Sequence, residues 1–180
     1  DADSEAIVLY VNGEAKADGT VGTTPFSVVH LGQRASTMNY PFNGGLDHVA
    51  IYNRALSSDE IGQLVNKDSV DEGLLVLWDM NETTGVTLAD TSGGNANWIE
   101  GHMDGGLQLD GEYVSVSDLP DVTSTTWAAW VRLDAEASYS TAIAAAFDGA
   151  GAGHTLGFHA GDNIRKPRVL WNHANGHASI

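Results

Sequence analysis

The carboxylates are the first place to look for chemistry in this chain. Asp90 opens the run Asp-Thr-Ser-Gly-Gly-Asn. That run joins a side-chain carboxylate to a loop flexible enough to turn backbone carbonyls inward. Calcium is held by six to eight such oxygens. The plainer reading is that Asp90 only caps a turn. Aromatic rings are the second set. Trp98, Tyr139 and Trp171 fall in or beside segments that read as loops. An exposed ring with Asn, Asp and Gly nearby is the usual way to hold a sugar by its apolar face. Trp78, Trp127 and Trp130 read as strand residues. Trp127 and Trp130 are three apart, so they face opposite sides of a strand. One of the two then joins a core and the other lies on a sheet face. The plainer reading for every tryptophan is ordinary core packing.

Histidines give weaker signals. His173 and His177 are four apart, but Asn-Gly between them reads as a turn and not as a zinc-binding helix turn. His154 and His159 flank a strand, and solvent-exposed histidines are the plainer reading. Glycoside hydrolysis needs two carboxyl groups facing one bond, roughly 5 Å apart in the retaining case. The closest pairs, Asp59-Glu60 and Asp71-Glu72, fall in a helix start and a polar connector. No Gly-x-Ser-x-Gly elbow or phosphate-cradling loop is present. The chain is therefore expected not to be an enzyme.

Composition limits the partners. The formal net charge is −16, with Lys16, Lys67 and Lys166 the only lysines. Nucleic acid and anionic membrane surfaces need clustered cations, so neither is an expected partner. No apolar run is long enough to span a bilayer, and membrane insertion is not expected. The acidic surface resists association, and it also suits salty water, where screening removes self-repulsion. Cys is absent, which excludes disulfides and thiolate sites. A length of 180 residues fits one sandwich-sized domain or two incomplete ones.

The elements that must position these residues read as strands and turns. Ala6 to Val11 (AIVLYV) is an apolar strand, and Asn12-Gly13 is a strong hairpin signal. Phe26 to Gly32 is the next strand. Phe42 to Val65 (FNGGLDHVAIYNRALSSDEIGQLV) reads as turn, strand, turn and short helix. Strict alternation puts Leu46, His48, Ala50 and Tyr52 on one face. It puts Asp47, Val49, Ile51 and Asn53 on the other. Ser57 and Glu60 have capping-box spacing, and Ile61, Leu64 and Val65 give an amphipathic helix near 58–66. Residues 67–72 are polar and read as a linker. Gly73 to Asp79 (GLLVLWD) opens a new strand. Ala142 to Ala146, His154 to Phe158 and Arg168 to Trp171 add others.

The run from Gly44 to Ile61 closely resembles the last core strand and closing helix of LamG-like (laminin G-like, concanavalin A-like) jelly-roll domains of secreted bacterial and archaeal surface proteins. "LYVNGE" at 9–14 resembles the same family. So do "GLLVLWD", "DTSGGNAN", "GGLQLDGEYVSV" and "TTWAAWVRLD", which resemble its front half. Leu107 to Leu109 and Ala96 depart modestly from the usual pattern. The halves stand in reversed order. Residues 1–66 resemble the C-terminal half and 73–180 the N-terminal half, with one central strand missing at the join. The two halves are expected to complete one sandwich, within the chain or between copies.

The resemblance implies an all-β, antiparallel jelly-roll sandwich with one short helix. It also implies a structural calcium ion, with Asp47, Asp79, Asp90 and the Gly111 carbonyl at the matching positions. The function it implies is a non-catalytic adhesion or recognition module, extracellular or at the cell surface, binding glycan or another protein. In that reading Trp98, Tyr139 and Trp171 are the ligand-facing rings. The alternative is a structural repeat or filament subunit that assembles with copies of itself. A fragment of a hydrolase or lyase is the third reading.

Overall fold

A computed structural model describes residues 6–20, 26, 28–33, 41–81, 97–111, 113–116, 119–120, 124–134, 141–147, 153–159, 166–173 and 176–179. Its strands are β1 (Ala6–Val11), β2 (Glu14–Thr20), β3 (Val28–Leu31), β4 (Asn43–Tyr52), β5 (Leu74–Trp78), β6 (Asn97–Met103) and β7 (Gly105–Asp110). They continue with β8 (Val114–Val116), β9 (Thr126–Leu133), β10 (Thr141–Phe147), β11 (Gly153–His159), β12 (Lys166–His173) and β13 (Gly176–Ser179). The helix, α1, spans Ser58–Val65. Pairing among these strands is antiparallel throughout.

Two sheets make the sandwich. One runs β13-β12-β11-β10-β3-β8. The other runs β5-β4-β7-β6, with β9 added on β4. Each sheet mixes strands from before and after residues 67–72. β4 pairs β5, β7 and β9, and β3 pairs β8 and β10. The core lies between the sheets. Val29, Leu31, Phe42, Leu46, Val49, Ile51, Leu107, Leu109, Val114 and Ile143 are buried there. Each such side chain contributes about 1.5–3 kcal/mol relative to exposure. Trp127 packs edge-on against Phe26, with ring centroids 5.6 Å apart. The fold is thus the all-β sandwich that the LamG-like resemblance implies.

Strict alternation along β4 fails at one place, and that place matters. Asp47 pairs Trp130 and Ala50 pairs Ala128, so β4 spends three residues where β9 spends two. His48 takes the extra step at φ 48°. Such a bulge reverses the facing of everything beyond it. Leu46, Val49 and Ile51 therefore all point into the core. Ala50 and Tyr52 point outward, where Leu56, Val70, Ile61, Leu64 and Leu74 cover them. Asp47 stands two residues before the bulge's end, on the outer face with Ala50 and Tyr52. The expectation that Asp47 shares a face with Val49 and Ile51 is corrected accordingly.

Helix α1 starts as its sequence dictates. The Ser57 side chain accepts from the Glu60 N–H, and Glu60 Oε2 accepts from the Ser57 N–H at 2.8 Å. Arg54 adds a two-pronged bond to Glu60, at 2.8 and 2.5 Å. Its Nε donates to the Glu72 carbonyl at 3.1 Å. The Asn53 N–H donates to the Gly73 carbonyl at 2.8 Å. Gly73 sits at φ 78°, and a Cβ there would lie 2.8 Å from Asn53 Oδ1. Val70 is buried in the cluster under α1. The polar stretch 67–72 is therefore held at both ends and in its middle.

Candidate metal centre

The site grows from the outer face of β4. Asp47 is 4% exposed, although it carries a carboxylate. It is covered by the turn between β6 and β7. The Met103 N–H donates to Asp47 Oδ2 at 2.6 Å. Asp47 Oδ1 is buried and has no hydrogen-bond partner. A buried carboxylate oxygen with no partner is costly, and a cation is the ordinary remedy.

Glycines let the turn come this close. A Cβ on Gly101 would lie 1.6 Å from the Gly105 carbonyl oxygen and 2.7 Å from Asp47 Oδ2. Without a side chain, Gly101 lets the turn pack directly against the Gly105 carbonyl and Asp47 Oδ2. The Met80 carbonyl crowds Gly105 from the other side, and Asn81 Oδ1 accepts from the Gly105 N–H at 3.1 Å. Met80 and Asp104 both take positive φ, at 54° and 81°. The Gly101 N–H closes the turn onto the Asp104 carbonyl at 2.9 Å. Two outer contacts fix it. Lys67 Nζ donates to the His102 carbonyl at 2.7 Å. The His102 ring stacks on Trp130, with centroids 3.8 Å apart.

Segment 79–81 lies beside this turn. Trp78 pairs Val49, so exposed Asp79 comes level with His48, next to Asp47. Gly111 is elsewhere. It follows Asp110, which pairs Asn43, roughly 13 Å along β4 from Asp47 at the usual strand rise. Its N–H donates to the Phe42 carbonyl, and its φ is 95°. The Gly111 carbonyl cannot share an ion with Asp47, and that expected ligand is corrected. Asp90 lies outside the described residues. Among the described residues no three His, Cys, Asp or Glu side chains converge. Backbone carbonyls around Gly101–Gly105 and Met80 must then supply much of any oxygen shell.

Residues 1–62 match the family model Laminin_G_3, described as the concanavalin A-like lectin/glucanases superfamily. That stretch, about a third of the chain, is similar to part of a LamG-like domain. No curated protein and no solved structure matches the chain. The LamG-like match covers β1 to β4 and the first turns of α1, and so includes Asp47 but not the Gly101–Gly105 turn. The other strands of the two sheets follow the matched stretch.

The aromatic candidates fare differently. Trp98 lies in β6, pairs Leu107 and packs against the core, so its loop placement is corrected. Trp171 also lies in a strand, β12, opposite His154. Its side chain is outside the described residues, as is Tyr139. The Trp127 and Trp130 pair divides as spacing predicts. Trp127 joins the core, and Trp130 stands on the outer face beneath His102. The backbones of His173 and His177 belong to β12 and β13, joined as a hairpin. Among the described residues no helix is long and apolar enough to cross a membrane.

Sequence reasoning missed Met103 and Trp130 as neighbours of Asp47, and His102 and Lys67 as the contacts that fix the turn above it. One signal was available. Gly101, Gly105 and Gly106 cluster within six residues, which marks close backbone approach.

Proposed function

We propose that this chain is a non-catalytic recognition module of the LamG-like kind, working outside the cell or on its surface, with a calcium ion fastening the β6–β7 turn to Asp47. The observation that carries it is Asp47 Oδ1, buried and without a partner beneath a glycine-built turn rich in carbonyl oxygens. In such a site Asp47 would supply charge, and the Gly105 and Met80 carbonyls would supply neutral oxygens. Asp79 and Asp90 are the further acidic donors that this reading assigns. The ion would stiffen the outer face, while ligand recognition of a glycan or another protein falls to loops and sheet faces. No Glu-x-Asp-x-x-Glu run, which would put a nucleophile and an acid on one strand face, occurs in the sequence, and this supports a binding role over a hydrolytic one.

The test is thermal unfolding of the full chain in calcium and in chelator, followed by binding to a panel of polysaccharides. Calcium at 100 times its Kd should stabilise by about 2.7 kcal/mol. It should lose that effect in Asp47→Asn. An unchanged melting temperature on chelation would sink the calcium assignment. Release of reducing sugar from any bound polysaccharide would sink the non-catalytic one.

A further inference from the structure

The chain leaves β5 through Asp79, Met80 and Asn81, and Asn81 opens the triplet Asn81-Glu82-Thr83. An Asn with Ser or Thr two residues on, and no proline between, is the acceptor pattern for an N-linked glycan in exported proteins. No other Asn in the chain has Ser or Thr at that spacing. So short a match is a common coincidence, and the presentation of the side chain decides whether it carries weight.

The end of the strand sets that presentation. Trp78, the last residue of β5, packs against the core. Met80 is buried and takes φ 54°. A left-handed step is uncommon at a residue other than glycine, and it breaks the strand's direction here. Asp79 and Asn81, on either side of Met80, are both exposed. Gly105 holds this bend. A Cβ there would lie 2.3 Å from the Met80 carbonyl oxygen and 2.9 Å from Asn81 Cα, so the missing side chain is what lets the two backbones meet. The Gly105 N–H donates to Asn81 Oδ1 at 3.1 Å. Only the oxygen of an amide accepts from an N–H, so this bond also fixes which amide atom is which. Oδ1 is tied to the β6–β7 turn, and Nδ2 is the amide atom that this bond leaves for other chemistry.

We propose that Asn81 is an N-glycosylation site, with Nδ2 the acceptor and Oδ1 the anchor. The donor is an oligosaccharide joined through a diphosphate to a polyprenol, and an oligosaccharyl transferase of the export pathway makes the transfer. A bond forms between Nδ2 and C1 of the first sugar. The bond from C1 to the diphosphate oxygen breaks, the lipid diphosphate leaves, and Nδ2 gives up one proton to the transferase. Oδ1 takes no part, so its bond to the Gly105 N–H is compatible with the glycosylated product. The proposal rests on the extracellular part of the function proposed above and on neither its calcium nor its ligand-binding part.

The test is intact-mass and peptide mass spectrometry of the full chain secreted by a host whose export pathway glycosylates Asn. The wild-type chain should weigh more than its 19.0 kDa polypeptide. Peptide N-glycosidase should remove the excess and leave Asp in place of Asn81. Thr83→Ala leaves Asn81 itself untouched and should abolish the glycan, while Thr83→Ser should keep it. Asn81→Gln should also be bare. A secreted wild-type chain with Asn81 unmodified would overturn the proposal, and so would a glycan that persists on Asn81 in Thr83→Ala. Because the host supplies the export, an unmodified Asn81 would leave the extracellular reading standing. A melting temperature indifferent to chelator would, conversely, leave the glycan standing.

Discussion

The Met103 N–H and the Asp47 carboxylate are 2.6 Å apart, although 56 residues separate them in the chain. That bond ties the β6–β7 turn across the outer face of β4, and it buries a carboxylate whose second oxygen has no partner. Replacing Asp47 by Ala removes the acceptor and strands the Met103 N–H. Urea unfolding should show a loss of about 1–3 kcal/mol. An Asp47→Ala chain as stable as the parent would mean that the turn does not depend on this carboxylate.

Gly101 is the residue on which the approach of the turn depends. A methyl group there would run into the Gly105 carbonyl and Asp47 Oδ2. The first of these is backbone and cannot step aside cheaply. Gly101→Ala should cost about 1–3 kcal/mol and should abolish any calcium response. Gly62 is the internal control. It lies in α1 with nothing within 4 Å of its added Cβ. Gly62→Ala should stabilise by about 0.5–1 kcal/mol. Melting temperatures of the two variants should move in opposite directions.

The Arg54–Glu60 pair gives a pH signature. The Arg54 guanidinium, followed by the Ser57 N–H, lowers the Glu60 carboxyl from 4.5 to about 2. A folded pKa below the unfolded one means stability that is present above about pH 4.5. It is lost as pH falls toward 2. Glu60→Gln should flatten that limb of the stability profile while leaving neutral-pH structure intact. An acid limb of unchanged slope in this variant would place the titrating carboxylate elsewhere.

His102 and Trp130 stack at 3.8 Å, and their contact can be measured apart from their burial. A double-mutant cycle with His102→Ala and Trp130→Ala should give a coupling of about 0.5–1.5 kcal/mol. Additive losses would show that the rings touch without holding the turn. Lys67→Met, which removes the donor to the His102 carbonyl, should reduce that coupling.

The connector 67–73 should resist proteolysis. The Asn53 N–H donates to the Gly73 carbonyl and the Arg54 side chain to the Glu72 carbonyl, which holds its C-terminal end to the chain between β4 and α1. Gly73→Ala places a side chain at positive φ against Asn53 and Arg54. Limited proteolysis should then cut at 67–73 in the variant first. Equal cutting of both proteins would show that the clamp is not what protects this segment.

Local rules were enough for much of this molecule. Asn12-Gly13 made a hairpin because both residues accept positive φ, at 52° and 79°. Ser57 and Glu60 made a helix start because their side chains reach the free N–H groups of the first turn. The strands followed from short apolar runs between turn residues, and the antiparallel sandwich was what the LamG-like resemblance of those runs implied. Those features depend on residues a few positions apart, so sequence order alone reveals them. The facing of Asp47 did not follow. Alternation is a local rule too, but the bulge at His48 is imposed by pairing with β9, about 80 residues on. The neighbours of Asp47 and of the turn above it were hidden for the same reason. Met103, Trp130 and Lys67 come from three other parts of the chain, and only the packing of β6, β9 and the end of α1 around β4 brings them together. Spacing within a segment determined the elements and their caps. Which face Asp47 takes, and what covers it, was decided by contacts that exist only once distant strands pair.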